Sequence, residues 1–242
     1  MLRAFEHALA PHGLNLVGAT ALRSYDALVP SEFTLARLLP GAESAIVIGN
    51  GGRAFWDAFR AFCRRHPEAE RDSDPLDAFT ATVVEEVVRP LLGALPTRVL
   101  YPFRFPADPV SFVHLAECAG LGRRSLLGLL VHPTFGPWIA LRAAVLVPVA
   151  VPAPRPADGF DPCPTCVERA CVPACPAGAI GEAGWDIPRC ASHRLRDDDE
   201  CAGRCHARFD CVIGREHRQA PEELAYHQSR ARGTLAAYAR SR

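Results

Sequence analysis

Lysine is absent from this sequence, since all 27 basic residues are arginines. The chain therefore cannot form the Schiff base that pyridoxal phosphate needs, and it cannot place a Walker lysine on a phosphate-binding loop. The arginines are balanced by 27 acidic residues, so the net charge is zero and provides no general attraction to nucleic acid or anionic lipid. We accordingly expect no nucleic-acid partner.

Long apolar runs are also missing. No stretch reaches the about 18 apolar residues of a membrane helix, and residues 1–20 lack the apolar segment of a signal peptide. With clustered cysteines and no secretion signal, we expect a cytoplasmic protein without a membrane partner. Of the 242 residues, 49% are hydrophobic, which is enough to form the core of one large domain or two smaller ones.

Cysteine is abundant and concentrated in one region. Eight of the ten cysteines lie in residues 163–211, in two groups of four. The first group is Cys163, Cys166, Cys171 and Cys175, with Pro176 directly after it, and the second is Cys190, Cys201, Cys205 and Cys211. Iron–sulfur clusters are held by thiolates, four to each [4Fe–4S] cluster. The region therefore predicts two [4Fe–4S] clusters.

The spacing also predicts how the thiols are shared. The first group is close to the bacterial ferredoxin run, except that four residues instead of two separate Cys166 from Cys171. In two-cluster ferredoxins the fourth cysteine, which precedes a proline, binds the other cluster. Applied here, one cluster is held by Cys163, Cys166, Cys171 and Cys211, and the second by Cys175, Cys190, Cys201 and Cys205. Structural zinc, or disulfides in a secreted protein, are the alternatives.

The rest of the chain predicts an α+β protein with several segments. Residues 1–150 form an α/β domain, 151–162 a proline-rich linker, 163–214 a ferredoxin-like iron–sulfur domain and 215–242 a C-terminal helix. Strands are predicted at residues 14–19, 44–49, 97–101, 126–131 and 139–149. Helices are predicted at residues 2–10, 32–38, 53–65, 76–94, 110–118 and 221–240, the last of them broken at Gly233.

Glycines after the second predicted strand suggest a different cofactor. Gly49, Gly51 and Ala54 match the G-x-G-x-x-G/A pattern of dinucleotide-binding proteins, at the start of a helix. An ordinary tight turn would give the same residues, and the next strand arrives only near residue 97, too late for a compact βαβ unit. A flavin or nicotinamide oxidoreductase is therefore kept as an alternative.

Residues 132–138 form a loop with the sequence HPTFGPW between two apolar segments. Its histidine, two aromatic residues, glycine and two prolines suit either a rigid turn or the wall of a ligand site. A single histidine such as His132 is an ordinary structural residue in most proteins. Cys63 and Cys118, which lie outside the two groups, are expected to be small buried apolar side chains.

Two family resemblances meet in this chain. Residues 39–41 (LPG), 74–77 (DPLD) and above all 132–142 (HPTFGPWIALR) resemble the vitamin B12-processing, CblC-type reductases. Residues 115–122 (LAECAGLG), Gly136 and the cysteine block, in this order, resemble the epoxyqueuosine reductases, which join a B12-binding domain to a two-cluster ferredoxin domain. Both resemblances rest on short motifs and together cover most of the chain.

The resemblance implies a nitroreductase- or flavin-reductase-like α/β sandwich that binds a corrinoid (cobalamin). His132, Phe135, Gly136 and Trp138 would form the corrinoid wall, and Arg142 would contact a propionamide or phosphate. The epoxyqueuosine reductases carry an aspartate proton donor before the Leu-Ala-Glu helix. Here Pro106 stands at that position, so Asp108 is the candidate donor, and the C-terminal helical repeats of that family are missing.

These observations predict an iron–sulfur reductase, an oxidoreductase in which electrons pass from the clusters to a corrinoid in the N-terminal domain. The product would be a processed corrinoid or a reduced small substrate. The expected partner is a protein electron donor such as a ferredoxin, a flavodoxin or a reductase. A ferredoxin-like electron carrier with a docking domain, or a flavin- or NAD-dependent oxidoreductase, are the alternatives.

Overall fold

The computed structural model describes residues 1–153, 159–196 and 198–240, which fold into two compact units. Unit 1 contains residues 1–122 and 139–153, and unit 2 contains residues 123–138 together with the residues from 159 onward. Residues 123–138, which the sequence analysis assigned to the N-terminal domain, thus belong to unit 2. Residues 154–158 of the predicted linker lie outside the described residues.

Strands in the described chain are short except where they form the core sheet of unit 1. In chain order they are β1 Leu16–Ala21, β2 Ser44–Gly51, β3 Arg98–Leu100, β4 Arg123–Arg124, β5 Leu130–Val131, β6 Ile139–Val147, β7 Ile180–Gly181 and β8 Gly184–Trp185. The predicted strand 126–131 is therefore wrong over most of its length. Ser125 and Gly128 form a turn there, and β5 pairs only with β4.

Helices surround the sheet of unit 1 and form much of unit 2. They are α1 Leu2–Leu9, α2 Leu22–Asp26, α3 Ala54–Arg65, α4 Pro75–Val83, α5 Arg89–Leu92, α6 Phe112–Cys118, α7 Ile187–Arg194, α8 His206–Phe209 and α9 Pro221–Arg240. In place of the helix predicted at 32–38, the chain forms only a 3₁₀ turn at Ser31–Phe33. Helix α9 continues through Gly233 without the predicted break.

The core sheet of unit 1 has the strand order β1-β2-β6-β3, and each neighbouring pair is antiparallel. Every residue of β2 is buried, as its apolar sequence predicted. A β-bulge between Ile48 and Gly49 brings Gly49 against β6, where an added Cβ would lie 2.7 Å from the Ala140 carbonyl oxygen. The first glycine of the predicted dinucleotide motif therefore serves strand pairing.

Aromatic residues of α3 pack the sheet of unit 1 against α4. The Phe55 and Phe59 rings are buried, with centroids 5.3 and 5.8 Å from the ring of Phe79. Phe62, which is partly buried, lies 5.0 Å from the same ring. These three phenylalanines therefore share one face of α3.

The long helix predicted at 76–94 contains a π turn at Val84–Val88, between α4 and α5. Pro90 has no N–H to donate, and a π turn accommodates this change in the hydrogen-bond ladder by adding one residue to the turn. The added residue rotates the following side chains. Leu92 is buried, whereas Leu91 is 40% exposed.

One apolar cluster of unit 2 contains Leu127, Ile180 and Ala207, against which Leu126, Val172 and several cysteines pack. Trp138 and Leu224 are also buried in this unit. Helix α9 packs on α7. Within the described residues, no helix has both the length and the apolar content needed to cross a membrane.

Candidate functional site

The first candidate centre in unit 2 is a cavity lined by Cys163, Cys166, Cys171 and Cys211. Burial raises the pKa of Cys171, and the charges of Cys211, Cys163 and Cys166 raise it further. Burial likewise raises the pKa of Cys211, with smaller contributions from Cys163 and Cys166. The four sulfur atoms are thus close enough to interact, although Cys211 is 40 residues from Cys171 in the sequence.

Local backbone groups point at these sulfur atoms. The Leu126 N–H donates to Cys163 Sγ at 3.4 Å, and the Arg169 N–H donates to Cys166 Sγ at 3.3 Å. Arg169 has a φ of 42°, and it is a non-glycine residue with a left-handed backbone. This conformation lets the longer gap between Cys166 and Cys171 turn back toward the sulfur. Such hydrogen bonds stabilise negative charge on a sulfur ligand.

The second candidate centre is a cavity of about 340 Å³, lined by Cys175, Cys190, Cys201 and Cys205. Burial, followed by the charges of Cys205 and Asp199, raises the pKa of Cys201 to about 11. Burial also raises the pKa of Cys190 and of Cys205, and each of these thiols is affected by the charge of Cys175. The Ala179 N–H donates to Cys175 Sγ at 3.4 Å.

The donor sets fit a thiophilic metal centre. Four neighbouring thiols cannot all be deprotonated in a partly buried site unless a cation compensates their charge. An iron–sulfur core supplies that cation and takes four thiolates. The structure brings together the two quartets that the sequence analysis proposed, while their binding of clusters stays a prediction.

Two guanidinium groups line the second cavity. Arg194 is buried and paired with Asp199, with Nε to Oδ2 at 3.0 Å, and it also donates to Gln228 of α9. Arg208 donates from Nε and Nη2 to the Pro137 carbonyl oxygen at 3.1 and 2.8 Å. Desolvation lowers the pKa of Arg208, and the charge of Cys205 partly offsets this effect.

A donor set that the sequence did not reveal lies beside the second quartet. Ligand atoms of His193, Asp199 and Cys201 lie within 4.8 Å of one another. The carboxylate of Asp199 is already engaged, because it accepts hydrogen bonds from Arg194, Arg232 and the Cys201 N–H. We therefore assign Asp199 to the ion-pair network that joins α7 to α9.

The 132–138 loop forms a tight turn in unit 2. His132 Nδ1 accepts hydrogen bonds from the N–H groups of Thr134 and Phe135 at 3.1 and 3.2 Å. Desolvation lowers the pKa of His132, and the charge of His217 adds to this effect. The Phe135 and His217 rings lie 4.7 Å apart. These contacts give His132 and Phe135 structural partners within the unit.

Gly136 and Trp138 in the same loop are packed without free space. Gly136 has a φ of 57°, and a Cβ on it would lie 2.0 Å from the Ile213 carbonyl oxygen. Trp138 is fully buried, and the Arg208 guanidinium lies 4.8 Å from its ring centroid. The indole Nε1 has no hydrogen-bond partner among the described residues. A corrinoid contact for either residue stays a proposal.

Arg142 and Asp108 both lie in unit 1. Arg142 is buried, its Nε donates to Asn50 Oδ1 at 2.7 Å, and its guanidinium lies 4.7 Å from the ring of Phe55. Asp108 is buried and accepts a hydrogen bond from Arg98 Nη2 at 2.6 Å. This ion pair accounts for the burial of Asp108 without a proton-donor role.

The predicted dinucleotide motif is wrong. Gly49 and Gly51 belong to β2, which pairs with antiparallel neighbours, whereas the dinucleotide fold requires a parallel βαβ unit. The Gly51 N–H donates to Asn15 Oδ1 at 2.7 Å, and Asn15 Nδ2 donates back to the Gly51 carbonyl oxygen at 3.1 Å. Because Asn15 uses the Gly51 N–H, that group is not available to a pyrophosphate.

Comparison with known sequences finds a relative for part of the chain. No family model matches the sequence. An epoxyqueuosine reductase from Synechococcus sp. (strain RCC307) is 39% identical over 87 residues, which cover 35% of this chain and 26% of the relative. The chain thus matches much less than two thirds of that protein.

Solved structures match most of the chain. An epoxyqueuosine reductase, crystallised with a tRNA-Tyr epoxyqueuosine-modified tRNA stem loop, has a TM-score of 0.59 and 17% identity over 92% of this chain and 69% of its own. A C. elegans B12-trafficking protein CblC, a homologue of human MMACHC, has a TM-score of 0.61 and 16% identity over 93% and 89% of the two chains. The mixed α/β fold is therefore similar to both, and the predicted resemblance is confirmed.

Proposed function

We propose that this protein is an oxidoreductase that holds two [4Fe–4S] clusters in unit 2 and uses a corrinoid for the reduction of a small substrate or for corrinoid processing. The observation that carries the proposal is the convergence of eight cysteines into two quartets, each lining its own cavity. Bound clusters would supply single electrons, and a corrinoid would convert them into bond chemistry.

The residues around the quartets support cluster binding. Backbone N–H groups of Leu126, Arg169 and Ala179 donate to three different cysteine sulfurs, which stabilises the thiolate form that a cluster needs. Apolar side chains such as Val131 and Ile213 line the first cavity and exclude water from it.

The corrinoid part of the proposal is supported by the fold. A protein of similar fold over 93% of this chain is a B12-trafficking protein. The residues we propose for the corrinoid remain His132, Phe135, Gly136, Trp138 and Arg142. For His132 and Phe135, which are partly exposed, contact would be made from the surface of the 132–138 turn. Gly136 and Trp138 are buried and would support that surface from within unit 2.

The partner we propose is a one-electron donor protein, such as a ferredoxin or a flavodoxin. A structure of similar fold was solved with a tRNA stem loop. The zero net charge of this chain does not favour such a partner, so we propose a small-molecule substrate. The site of action would then be the cytoplasm, where thiols stay reduced.

The test measures iron, sulfide, cobalt, zinc and flavin on protein prepared without oxygen. We expect iron and sulfide in equal amounts, with half of both lost in Cys166→Ser and in Cys205→Ser. The matched control is Cys118→Ser, a cysteine outside both quartets, which should retain all the iron. Zinc in place of iron would refute the proposal.

A second measurement addresses the corrinoid. Addition of cobalamin to the same anaerobic protein should shift the corrinoid absorption spectrum to the base-off form. If the protein contains clusters but shows no spectral shift with cobalamin, the alternative of an electron carrier with a docking domain is favoured. Bound flavin that can be released would favour a flavin-dependent oxidoreductase.

A further inference from the structure

The two candidate centres differ in the fixed charge around them. The first cavity has one arginine in its lining, Arg169, which is paired with Glu182 and has a side chain 36% exposed. The charge of Arg215 also acts on Cys211, but Arg215 is 49% exposed and pairs with Glu168. The second cavity is lined by Arg194 and Arg208, whose polar contacts lie inside unit 2. Water screens the exposed arginine charge at the first cavity. Charges inside the protein act at a lower dielectric, so they interact more strongly with a neighbouring group.

The charge of Arg194 is balanced within the protein. Its guanidinium pairs with Asp199 at 3.0 Å, and the side chains of both residues are almost completely buried. Gln228 accepts two further hydrogen bonds from the Arg194 guanidinium, one at Oε1 (2.6 Å) and one at its backbone carbonyl oxygen (2.9 Å). Arg194 therefore brings little net charge to the cavity.

Arg208 is different, because no carboxylate among the described residues forms an ion pair with it. Two of its N–H groups donate to the neutral carbonyl of Pro137, and the guanidinium lies over the Trp138 ring. Arg208 is also three residues after Cys205, and its positive charge lowers the pKa of that thiol, which burial raises. The charge of buried Glu223 also acts on Arg208, but without direct pairing. One helical turn thus places a cation that has no ion-pair partner among the described residues beside a ligand of the second quartet.

A cluster held by four thiolates is negatively charged and becomes more so when it accepts an electron from an external donor. A fixed cation next to it favours the reduced state, which raises the reduction potential. We propose that Arg208 raises the potential of the second cluster above that of the first, so that a single electron delivered to the protein resides on the second cluster. This inference rests on the proposed function, in which unit 2 holds both clusters.

The test is a redox titration of the anaerobic protein followed by electron paramagnetic resonance. Arg208→Met removes the charge and keeps the length of the side chain, and Arg208→Lys keeps the charge. Arg204→Met is the matched control, since Arg204 is exposed, precedes Cys205 directly and stacks on Phe209 outside the thiol cavity.

We expect Arg208→Met to lower the one-electron equilibrium constant for reduction of the second cluster at least tenfold, which is about 59 mV. Arg208→Lys should retain most of the wild-type potential, while Arg204→Met and the first cluster in every variant should be unchanged. An equal shift in Arg208→Met and Arg204→Met, or no shift, would overturn the inference.

Two variants assign the paramagnetic signals to the clusters. Cys163→Ser should retain only the second cluster, and Cys190→Ser should retain only the first. Their potentials also provide a test that does not depend on the stability of the Arg208 variants, because the inference requires the second cluster to have the higher potential. The opposite order would overturn it. A wild-type protein without cluster signals would instead refute the proposed function.

Discussion

Replacement of Gly136 by alanine tests whether the 132–138 turn is pressed against the segment that follows Cys211. An alanine Cβ at this position would lie 2.0 Å from the Ile213 carbonyl oxygen and 2.6 Å from its carbonyl carbon. The approach is mutual, because a Cβ on Gly214 would lie 2.4 Å from the carbonyl carbon of Phe135. Both obstacles are backbone atoms, which cannot move aside as a flexible side chain can.

The expected cost has two parts. Gly136 has a φ of 57°, and a left-handed backbone costs an alanine about 1 kcal/mol. The clash must be relieved by moving one loop away from the other, which adds about 1–3 kcal/mol as in other overpacked sites. Gly184→Ala isolates the first part, since Gly184 has a φ of 95° with nothing within 4 Å of an added Cβ.

Chemical denaturation of both variants without oxygen measures these costs. We expect a loss of about 1 kcal/mol in unfolding free energy for Gly184→Ala and about 2–4 kcal/mol for Gly136→Ala. Because the displaced segment follows Cys211, Gly136→Ala should also lower the iron content, whereas Gly184→Ala should not. Equal destabilisation by the two substitutions would refute the backbone-to-backbone packing.

Three further predictions concern buried or partly buried polar groups. Asp199→Asn removes a carboxylate paired with buried Arg194 and should reduce the unfolding free energy by about 3 kcal/mol in the same assay. Asp108→Asn weakens the ion pair with Arg98, whose side chain is 40% exposed, and should reduce the unfolding free energy by about 1 kcal/mol. The variant should retain its iron content and any reductase activity. Loss of activity without loss of stability would instead support a proton-donor role for Asp108. Burial holds the pKa of His132 below the ordinary 6.5. The contribution of His132 to the unfolding free energy is therefore complete above pH 6.5 and is lost as the pH falls toward the folded-state pKa. His132→Gln should flatten this part of the curve of stability against pH, and an unchanged curve would contradict the prediction.

The sequence was most informative where structure is local. The helix face with Phe55 and Phe59 follows from helical periodicity, and the buried strand β2 follows from its continuous apolar run. These two features depend on neighbours within a few residues. The grouping of the thiols joins distant residues, and it could be proposed because in two-cluster ferredoxins the cysteine before the proline binds the other cluster.

Features that depend on distant contacts could not be predicted. The π turn before Pro90 rotates the helix so that Leu92 replaces Leu91 on the buried side, and a regular 3.6-residue period cannot anticipate this. Residues 123–138 belong to unit 2 because their hydrogen bonds and packing involve residues such as Cys163 and Ile213, far away in the sequence. The mutual approach of Gly136 and Gly214 has no signal beyond the glycines themselves.

The interleaved order of the two cysteine quartets has a consequence during protein synthesis. Cys211 is the last of the eight thiols to leave the ribosome, yet it lines the cavity of the first three. Cys175 leaves the ribosome before the three other cysteines that line its cavity, of which Cys205 is the last. Neither quartet is complete on a nascent chain that ends before residue 205, so full ligation of either proposed cluster would have to wait until that residue has been synthesised.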